Sequence, residues 1–347
     1  MVIKAIVIGD PHFKINNLSE AKILVERTVE ITKRLKPDFV VCLGDLLDKH
    51  ETIHEGPFNL AIDFMKQLSE ICMTFLIVGN HDYCNNTQFL TSRHPYNALK
   101  KWNNFVVVDS VKVYRPKEND GPEFVFVPYT EPGRFLEALN TYTMWEMSDC
   151  IFAHQEFYGA KMGSVVSKDG DKWEADLPLV VSGHIHEYDW LQSNILYVGS
   201  AMQHSFGEKD DKRIGMCVFN QDSEEPFQFH RINLKLQRKR VLYLDAQELK
   251  EFDSTRYEGE KLRLSVQCTP EEYKALTSAD VYQKLVDDGV KVVFSGKKIL
   301  DEKVEQFKND RKKLVGETKG YTDILFTLIN DEQNDELSNA YNELSQN

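Results

Sequence analysis

The chain has 347 residues, of which 41% are hydrophobic, and its 42 Lys and Arg against 55 Asp and Glu give a formal net charge of −13. This length suits two domains or one large domain with an appendage, and the acidic balance argues against an extended nucleic-acid-binding surface. No apolar run approaches the roughly 18–20 residues that a membrane span needs. Six scattered cysteines without a Cys-x-x-Cys pair, and an N-terminus without a signal-peptide pattern, predict a cytoplasmic, reducing location and no cysteine metal site.

The first part of the chain alternates between strand and helix patterns. Apolar runs predict strands at 2–8, 38–43 and 74–78, and helical spacing predicts helices at 18–35 and 58–69. This alternation favours a parallel α/β sheet. We also expect a helix at 88–102 and strands at 105–108, 111–114, 124–127, 149–153, 177–181, 195–198, 214–220 and 226–232.

The chain changes character after residue 230. A basic stretch contains Arg231, Lys235, Arg238, Lys239 and Arg240 and no acidic residue between them. This basic stretch is typical either of a solvated strand or linker or of a segment that contacts phosphates.

A small module then follows, with a strand at 261–267, a helix at 270–288 and a strand at 290–294. Further on, 303–314 is a charged, helical pattern, and the acidic segment 321–347 carries two short amphipathic patterns. We therefore divide the chain into a first domain at 1–235, a small α+β domain at 236–300, and a linker with a helical tail at 301–347.

Polar residues follow the buried strands of the first domain. Because ligand sites of open α/β sheets lie at the carboxyl ends of the strands, these side chains are expected to lie together. A single histidine is usually structural, but five histidines and two aspartates in the same kind of position indicate a metal site, and their mixture suits Mn, Fe or Zn. Eight groups exceed what one ion needs, and a carboxylate such as Asp45 can bridge two ions, as in two-metal phosphoryl chemistry. The eight residues are Asp10, His12, Asp45, Asn80, His81, His154, His184 and His186.

Five sequence blocks carry a family resemblance: Asp10-x-His12, Gly44-Asp45-x-x-Asp48, Gly79-Asn80-His81-Asp82, His154 and Gly183-His184-x-His186. Their types and order resemble the calcineurin-like metallophosphoesterase superfamily. This resemblance implies an α/β fold, a β-sandwich flanked by helices. Within the superfamily the chain looks like the double-strand-break repair nucleases, which include bacterial SbcD, the nuclease subunit of the MRN complex and the small subunit of the T-even phage recombination endonuclease.

The resemblance implies a role for each residue. One divalent ion would be held by Asp10, His12, Asp45 and His186, and the second by Asp45, Asn80, His154 and His184. A hydroxide between the ions, most often Mn²⁺ with Mg²⁺ as the alternative, would be the nucleophile. His81 would not bind metal but would protonate the leaving oxygen or stabilise the transition state, with Asp82 orienting its ring. Gly199 and Ser200 would line a DNA groove, and Asp48 would lie near the substrate, although some relatives have His there.

The resemblance also implies partners. The small module corresponds in position to a DNA-capping domain, and 321–347 would bind an SbcC-like ATPase of the SMC family, as an amphipathic helix binds a groove. A homodimer through 18–35 and 88–102 and a phage or viral origin are further expectations. Two other functions stay open: a phosphodiesterase or phosphatase for a nucleotide or other small phosphoester, which the acidic charge favours, and a non-catalytic scaffold. The complete ligand set argues against the scaffold, since such ligands without a metal would be buried and unpaired.

Overall fold

A computed structural model describes residues 1–116, 121–163 and 165–296 of the protein. The strands in chain order are β1 (Val2–Ile8), β2 (Phe39–Cys42), β3 (Met73–Ile77), β4 (Phe105–Val108), β5 (Lys112–Tyr114), β6 (Phe124–Phe126), β7 (Cys150–Ala153), β8 (Lys161–Met162), β9 (Val165–Val166), β10 (Val180–Ser182), β11 (Asp189–Gln192), β12 (Ile195–Tyr197), β13 (Ile214–Asn220), β14 (Phe227–Ile232), β15 (Lys239–Asp245), β16 (Lys261–Cys268) and β17 (Lys291–Gly296). The α-helices are α1 (Leu18–Leu35), α2 (Glu55–Ser69), α3 (Phe135–Leu139), α4 (Ala246–Lys250), α5 (Pro270–Thr277) and α6 (Asp280–Asp287).

Two six-stranded sheets form the first domain. The first has the order β14-β13-β1-β2-β3-β4, and β1 to β4 are parallel, as the strand–helix alternation predicts. The second has the order β11-β12-β10-β7-β6-β5, and its four central strands are also parallel. Each sheet therefore gathers the carboxyl ends of several strands at one edge.

The alternation of side chains along the strands explains the layering. In β1, Ile3, Ala5 and Val7 belong to a core shared with residues of the second sheet such as Phe126 and Phe152, so the two sheets pack face to face. The alternate residues of the first sheet belong to a core with the buried faces of α1 and α2. The outer face of the second sheet packs on α3 and its neighbouring loops. The fold is the α/β sandwich with flanking helices that the family resemblance implies.

The small α+β module has its own sheet and core. Strands β15, β16 and β17 are parallel, and α4, α5 and α6 cover them around Leu249, Leu264 and Val266. Ion pairs of Lys239 and Lys261 with the largely buried carboxylate of Glu20 in α1 attach this module to the first domain.

Several details differ from the sequence-based expectations, including the short elements β8, β9, β11, α3 and α4, which the sequence patterns did not predict. The spacing predicts a helix at 88–102, but the structure has only one 3₁₀ turn there, Asn97–Lys101, because Pro95 and the local hydrogen bonds of His94 interrupt the pattern. The helix predicted at 270–288 is two helices, α5 and α6. The module also has a further strand, β15, which begins with Lys239 and Arg240 at the end of the basic stretch and pairs in parallel with β16.

The described residues contain no helix that is long and apolar enough to cross a membrane. Residues 297–347, which include the predicted partner-binding tail, lie outside the described residues.

Candidate metal centre

The strand ends of both sheets meet at one place. Asp10 follows β1, Asp45 follows β2 and Asn80 follows β3, while His154 follows β7 and His184 follows β10 of the other sheet. The His184 backbone N–H donates a hydrogen bond of 2.9 Å to Asp10 Oδ1, which joins the two sheets directly at the site. The seven residues predicted as ligands are therefore brought together by the sandwich and not by proximity in sequence.

The backbone at these strand ends is bent into unusual conformations. Asp10, His12, Asp45 and His184 have φ angles of +44°, +43°, +49° and +76°, in the left-handed region that residues with a Cβ avoid. Such conformations cost about 1–3 kcal/mol each and cluster at functional sites. The His12 N–H donates a hydrogen bond of 2.9 Å to the Asp45 carbonyl, which is one of the contacts that stabilise these conformations.

Two glycines of the predicted blocks allow the polar groups to approach each other. A Cβ at Gly79 would lie 2.2 Å from Asp45 Oδ1, and a Cβ at Gly44 would lie 2.4 Å from His154 Nδ1. Both distances are shorter than any real contact, so the Gly-Asp and Gly-Asn pairs are needed for close packing of the ligand side chains.

On one side of Asp45 lies the Asn80 group, which consists of Asn80, His154 and His184. Asn80 Oδ1 is 2.9 Å from His154 Nε2 and 3.0 Å from His184 Nδ1, and Asp45 Oδ2 is 3.4 Å from His154 Nε2. His154 Nδ1 lies 2.7 Å from the Leu43 carbonyl and donates its proton there. In the neutral ring the Nε2 lone pair then faces two oxygens, an arrangement that a shared cation stabilises.

On the other side lies the His12 group, which consists of His12, His186 and His204. His12 Nε2 is 3.1 Å from His186 Nε2 and 3.4 Å from Asp45 Oδ2. The buried Asp10 Oδ2 adds a carboxylate oxygen that has no hydrogen-bond partner in the described part of the chain. Asp45 Oδ2 thus lies 3.4 Å from a histidine nitrogen of each group, which is the position expected of a bridging ligand.

The pKa values of the buried aspartate and histidine ligands are shifted because these ionisable groups lie close together. Burial by itself would raise the pKa of Asp45, but His154 and His12 hold it well below its usual range. Burial opposes the charge on His154, yet Asp45 raises the pKa of His154 to about 9. Burial lowers the pKa of His12 well below its ordinary value. A divalent cation supplies the positive charge that a proton supplies otherwise, so the donor set fits bound metal.

His81 lies beside the ligands with its ring accessible. Its backbone N–H donates to Asp45 Oδ1 at 2.9 Å, its Nε2 is 4.0 Å from Asp45 Oδ2, and about a third of its side chain (35%) is exposed. Its Nδ1 lies 2.8 Å from the Asp48 carbonyl, and the His50 ring stacks on it at 5.0 Å. This leaves Nε2 free to exchange a proton with a bound group.

The predicted role of Asp82 needs correction. Its carboxylate does not orient His81. It accepts hydrogen bonds from the N–H groups of Leu46, Leu47 and Gly79 and from the Tyr96 hydroxyl, so it ties the loops after β2 and β3 together. The Asp48 carbonyl contacts the His81 ring instead, a contact with no signal in the side-chain sequence.

Two of the three residues predicted to contact substrate are buried. The resemblance implies that Gly199 and Ser200 line a groove, but both are buried, and the Ser200 hydroxyl bonds the Met202 carbonyl at 3.1 Å. Ser200 contributes to the site through its backbone, because its N–H donates a hydrogen bond of 3.1 Å to the His186 carbonyl. The Asp48 carboxylate accepts from Lys14 at 2.8 Å and lies 3.7 Å from His12 Nδ1.

Three polar residues at the site lie outside the sequence-predicted set. Glu156 lies 3.8 Å from His184 Nε2, and Glu208 lies 3.8 Å from His186 Nδ1, so each carboxylate faces the ring nitrogen opposite the ligand atom. The contact with His184 lowers the pKa of Glu156, and against the effect of burial His186 and its neighbours lower the pKa of Glu208 to about 2. The third is His204. Glu156, two residues after His154, could have been suspected from its place at a strand end.

The sandwich and its carboxylate–histidine centre define a metal-dependent phosphoesterase. The pattern of the Calcineurin-like phosphoesterase family matches residues 3–188, and the chain belongs to this family. It is 41% identical over 298 residues to "Putative phosphoesterase 078R" of Invertebrate iridescent virus 3, covering 84% of each chain. It is 40% identical over 278 residues to "Putative phosphoesterase 244L" of Invertebrate iridescent virus 6, covering 78% of this chain and 96% of that protein. The superfamily is therefore the one that the sequence blocks indicate.

Proposed function

We propose that this phosphoesterase is a DNA nuclease that hydrolyses phosphodiester bonds during double-strand-break repair and recombination. The observation that carries the proposal is a separate α/β module fixed directly beside the metal centre. Lys239 of β15 donates its N–H to Gln203 Oε1 at 2.7 Å and its ammonium to the Gln203 carbonyl at 2.7 Å. Gln203 is adjacent to His204 of the His12 group, so a long substrate at the metals would also meet the module.

The ligand geometry supports two divalent ions, with Mn²⁺ as our choice and Mg²⁺ as the alternative. Asp10, His12, Asp45 and His186 would hold one ion, and the Asn80 group with Asp45 would hold the other. Carboxylate and imidazole ligands together suit Mn, Fe or Zn, and the family resemblance favours Mn²⁺. When bound, two such ions would neutralise charge on a phosphoryl group and on the attacking and leaving oxygens.

His81 supplies the proton chemistry in this proposal. Its Nδ1 is held by the Asp48 carbonyl and its backbone by Asp45, so the accessible Nε2 would donate a proton to the leaving oxygen of the diester. The stacked His50 ring limits the orientations of His81.

A second candidate is a phosphodiesterase or phosphatase for a nucleotide or other small phosphoester. One observation favours it: the basic stretch that could have contacted DNA phosphates is largely paired with acids. Arg231 and Arg238 lie against Asp211 and Asp210, and Arg240 pairs with Glu260. A nuclease with this surface needs positive charge from elsewhere, and a partner would supply it.

The deciding experiment compares two substrates. The protein is incubated with Mn²⁺ and either linear single- and double-stranded DNA or bis-p-nitrophenyl phosphate, alongside His81→Ala and the matched control His230→Ala, an exposed histidine of β14. We expect DNA cleavage that EDTA abolishes, a loss of roughly 10²–10⁴-fold in His81→Ala, and no change in the control. Good hydrolysis of the small diester with DNA left intact, even with a partner ATPase present, would favour the second candidate.

The partners are part of the proposal. We propose that 321–347, which lie outside the described residues, bind an SbcC-like ATPase that contributes the positive DNA surface. Deletion of 321–347 should abolish binding of the ATPase and leave Mn²⁺ binding unchanged. A homodimer through α1 and 88–102 is a further proposal, and light scattering of the isolated protein tests it.

A further inference from the structure

His204 reaches the metal centre from outside the five sequence blocks. The chain from β12 passes Gly199 and Ser200 and places the His204 ring 4.8 Å from the His12 ring and 5.1 Å from the His186 ring, centre to centre. One ring nitrogen from each of these three histidines lies within 4.8 Å of the others, a spacing that one metal ion can span. No motif of the family resemblance includes this position.

The hydrogen bonds of His204 leave one nitrogen without a role. Nε2 lies 2.8 Å from the Asp10 carbonyl, to which it donates its proton, so Nδ1 carries the lone pair of the neutral ring. Nδ1 is buried and has no hydrogen-bond partner among the residues that the structure describes. A buried acceptor without a partner is unfavourable unless something absent from the protein chain satisfies it.

Other unpaired atoms lie at the same place. Seven buried side-chain nitrogen and oxygen atoms in the described residues lack a hydrogen-bond partner, and three of them are Asp10 Oδ2, His12 Nδ1 and His204 Nδ1. His12 Nδ1 has the Asp48 carboxylate at 3.7 Å. Within the described part of the chain, no carboxylate forms an ion pair with His204 Nδ1, which leaves a cation as its natural partner.

The segment that carries His204 is firmly held. The Ala201 N–H donates to the Gly9 carbonyl at 2.7 Å, and Glu208 accepts the His204 N–H at 3.0 Å while its other oxygen faces His186. Gln203 is bonded to Lys239 of the small module. The His204 ring is thus positioned before a metal ion binds, as a metal-coordinating side chain requires.

We propose that His204 Nδ1 is an additional ligand of the ion held by Asp10, His12 and His186. The inference rests on the proposed function, because it needs that ion to bind. It makes the two halves of the centre unequal: one ion has a histidine from the segment between β12 and β13, which contacts the small module through the hydrogen bonds of Gln203 with Lys239. The position of that module is then linked to metal occupancy.

The test measures metal binding, independently of activity. Titration calorimetry with Mn²⁺ on the full chain compares the unmodified protein, His204→Gln, His204→Ala and the exposed control His230→Ala. The glutamine amide can still donate to the Asp10 carbonyl but offers no imidazole nitrogen. We expect one of two ions to bind roughly 10- to 100-fold more weakly in both His204 variants, and the control to bind as the unmodified protein does.

Pulsed electron paramagnetic resonance of bound Mn²⁺ adds a spectroscopic readout, since each coordinating imidazole nitrogen couples to the metal electrons. One fewer coupled nitrogen in His204→Gln supports the ligand. Two ions bound with unchanged affinity and unchanged nitrogen coupling in His204→Gln would overturn the inference while leaving the dinuclear centre intact. Failure of the unmodified protein to bind any Mn²⁺ would instead reject the proposed function.

Discussion

The Asn80 group and the His12 group lie on either side of Asp45, but the chain builds them differently. In the Asn80 group the ligand atoms already lie 2.9–3.3 Å apart, and the Leu43 carbonyl orients His154. In the His12 group and the adjacent Asp10, three buried atoms lack hydrogen-bond partners in the described chain: Asp10 Oδ2, His12 Nδ1 and His204 Nδ1. The comparison shows one half whose ligand atoms are already gathered at contact distance and one half that contains buried atoms without hydrogen-bond partners in the described chain and that is held by residues 199–208.

Asp45→Asn should produce the largest effect, because it removes the charge shared by both groups. Loss of several kcal/mol of charge stabilisation corresponds to a fall of roughly 10³-fold or more in the rate of phosphoester hydrolysis. Steady-state kinetics and Mn²⁺ titration check this result. Asp63→Asn, at an exposed aspartate of α2, is the matched control and should retain both ions, whereas equal damage by the two variants would contradict the bridging position of Asp45.

Glu208→Gln and Glu156→Gln form a matched pair that tests the inequality of the two groups. Glu208 holds both the His186 ring and the His204 backbone, while Glu156 faces only the His184 ring among the ligands. We expect Glu208→Gln to weaken one Mn²⁺ by roughly 10- to 100-fold and Glu156→Gln to have the smaller effect. The reverse order in a Mn²⁺ titration would show that the Asn80 group is the more dependent half.

The stability of the metal-free protein should fall between pH 6.5 and 9. Folding raises the pKa of His154 to about 9 from an ordinary value of about 6.5, so its stabilising charge is complete below about 6.5 and is lost as the pH rises through 9. Thermal unfolding in EDTA measures the slope. Mn²⁺ should reverse it, since the metal needs the deprotonated ring. His154→Gln should flatten the profile, and an unchanged slope in that variant would assign the effect to another group.

Tyr96→Phe should have the smallest effect, a loss of about 1–2 kcal/mol in the free energy of unfolding, because it removes one hydrogen bond of 2.6 Å to the buried Asp82 carboxylate. Urea unfolding in EDTA measures it, with the exposed Tyr243→Phe as the control. Retained Mn²⁺ affinity would agree with a structural role for Asp82. A selective loss of activity at full stability would return Asp82 to the catalytic residues.

The sequence by itself determined most strands of the two large sheets, the parallel arrangement of β1 to β3 and the polar residues at the strand ends. These features depend on local patterns: apolar runs of strand length, and Gly-Asp, Gly-Asn and Gly-His pairs directly after them. The family comparison confirms the superfamily that these blocks indicate. The prediction of a helix at 88–102 was wrong because Pro95 and side-chain hydrogen bonds, which the spacing of apolar residues does not reveal, interrupt the helical pattern.

Only the tertiary structure decided which polar groups face each other. His204, Glu208 and the Asp48 carbonyl enter the site because the chain after β12 crosses to the end of β1 and because the loop after β2 folds over His81. In the same packing, the Asp82 carboxylate joins the loops after β2 and β3 by hydrogen bonds, and Ser200 becomes buried. Such contacts join residues up to 194 positions apart, and a pattern of local spacing carries no information about them.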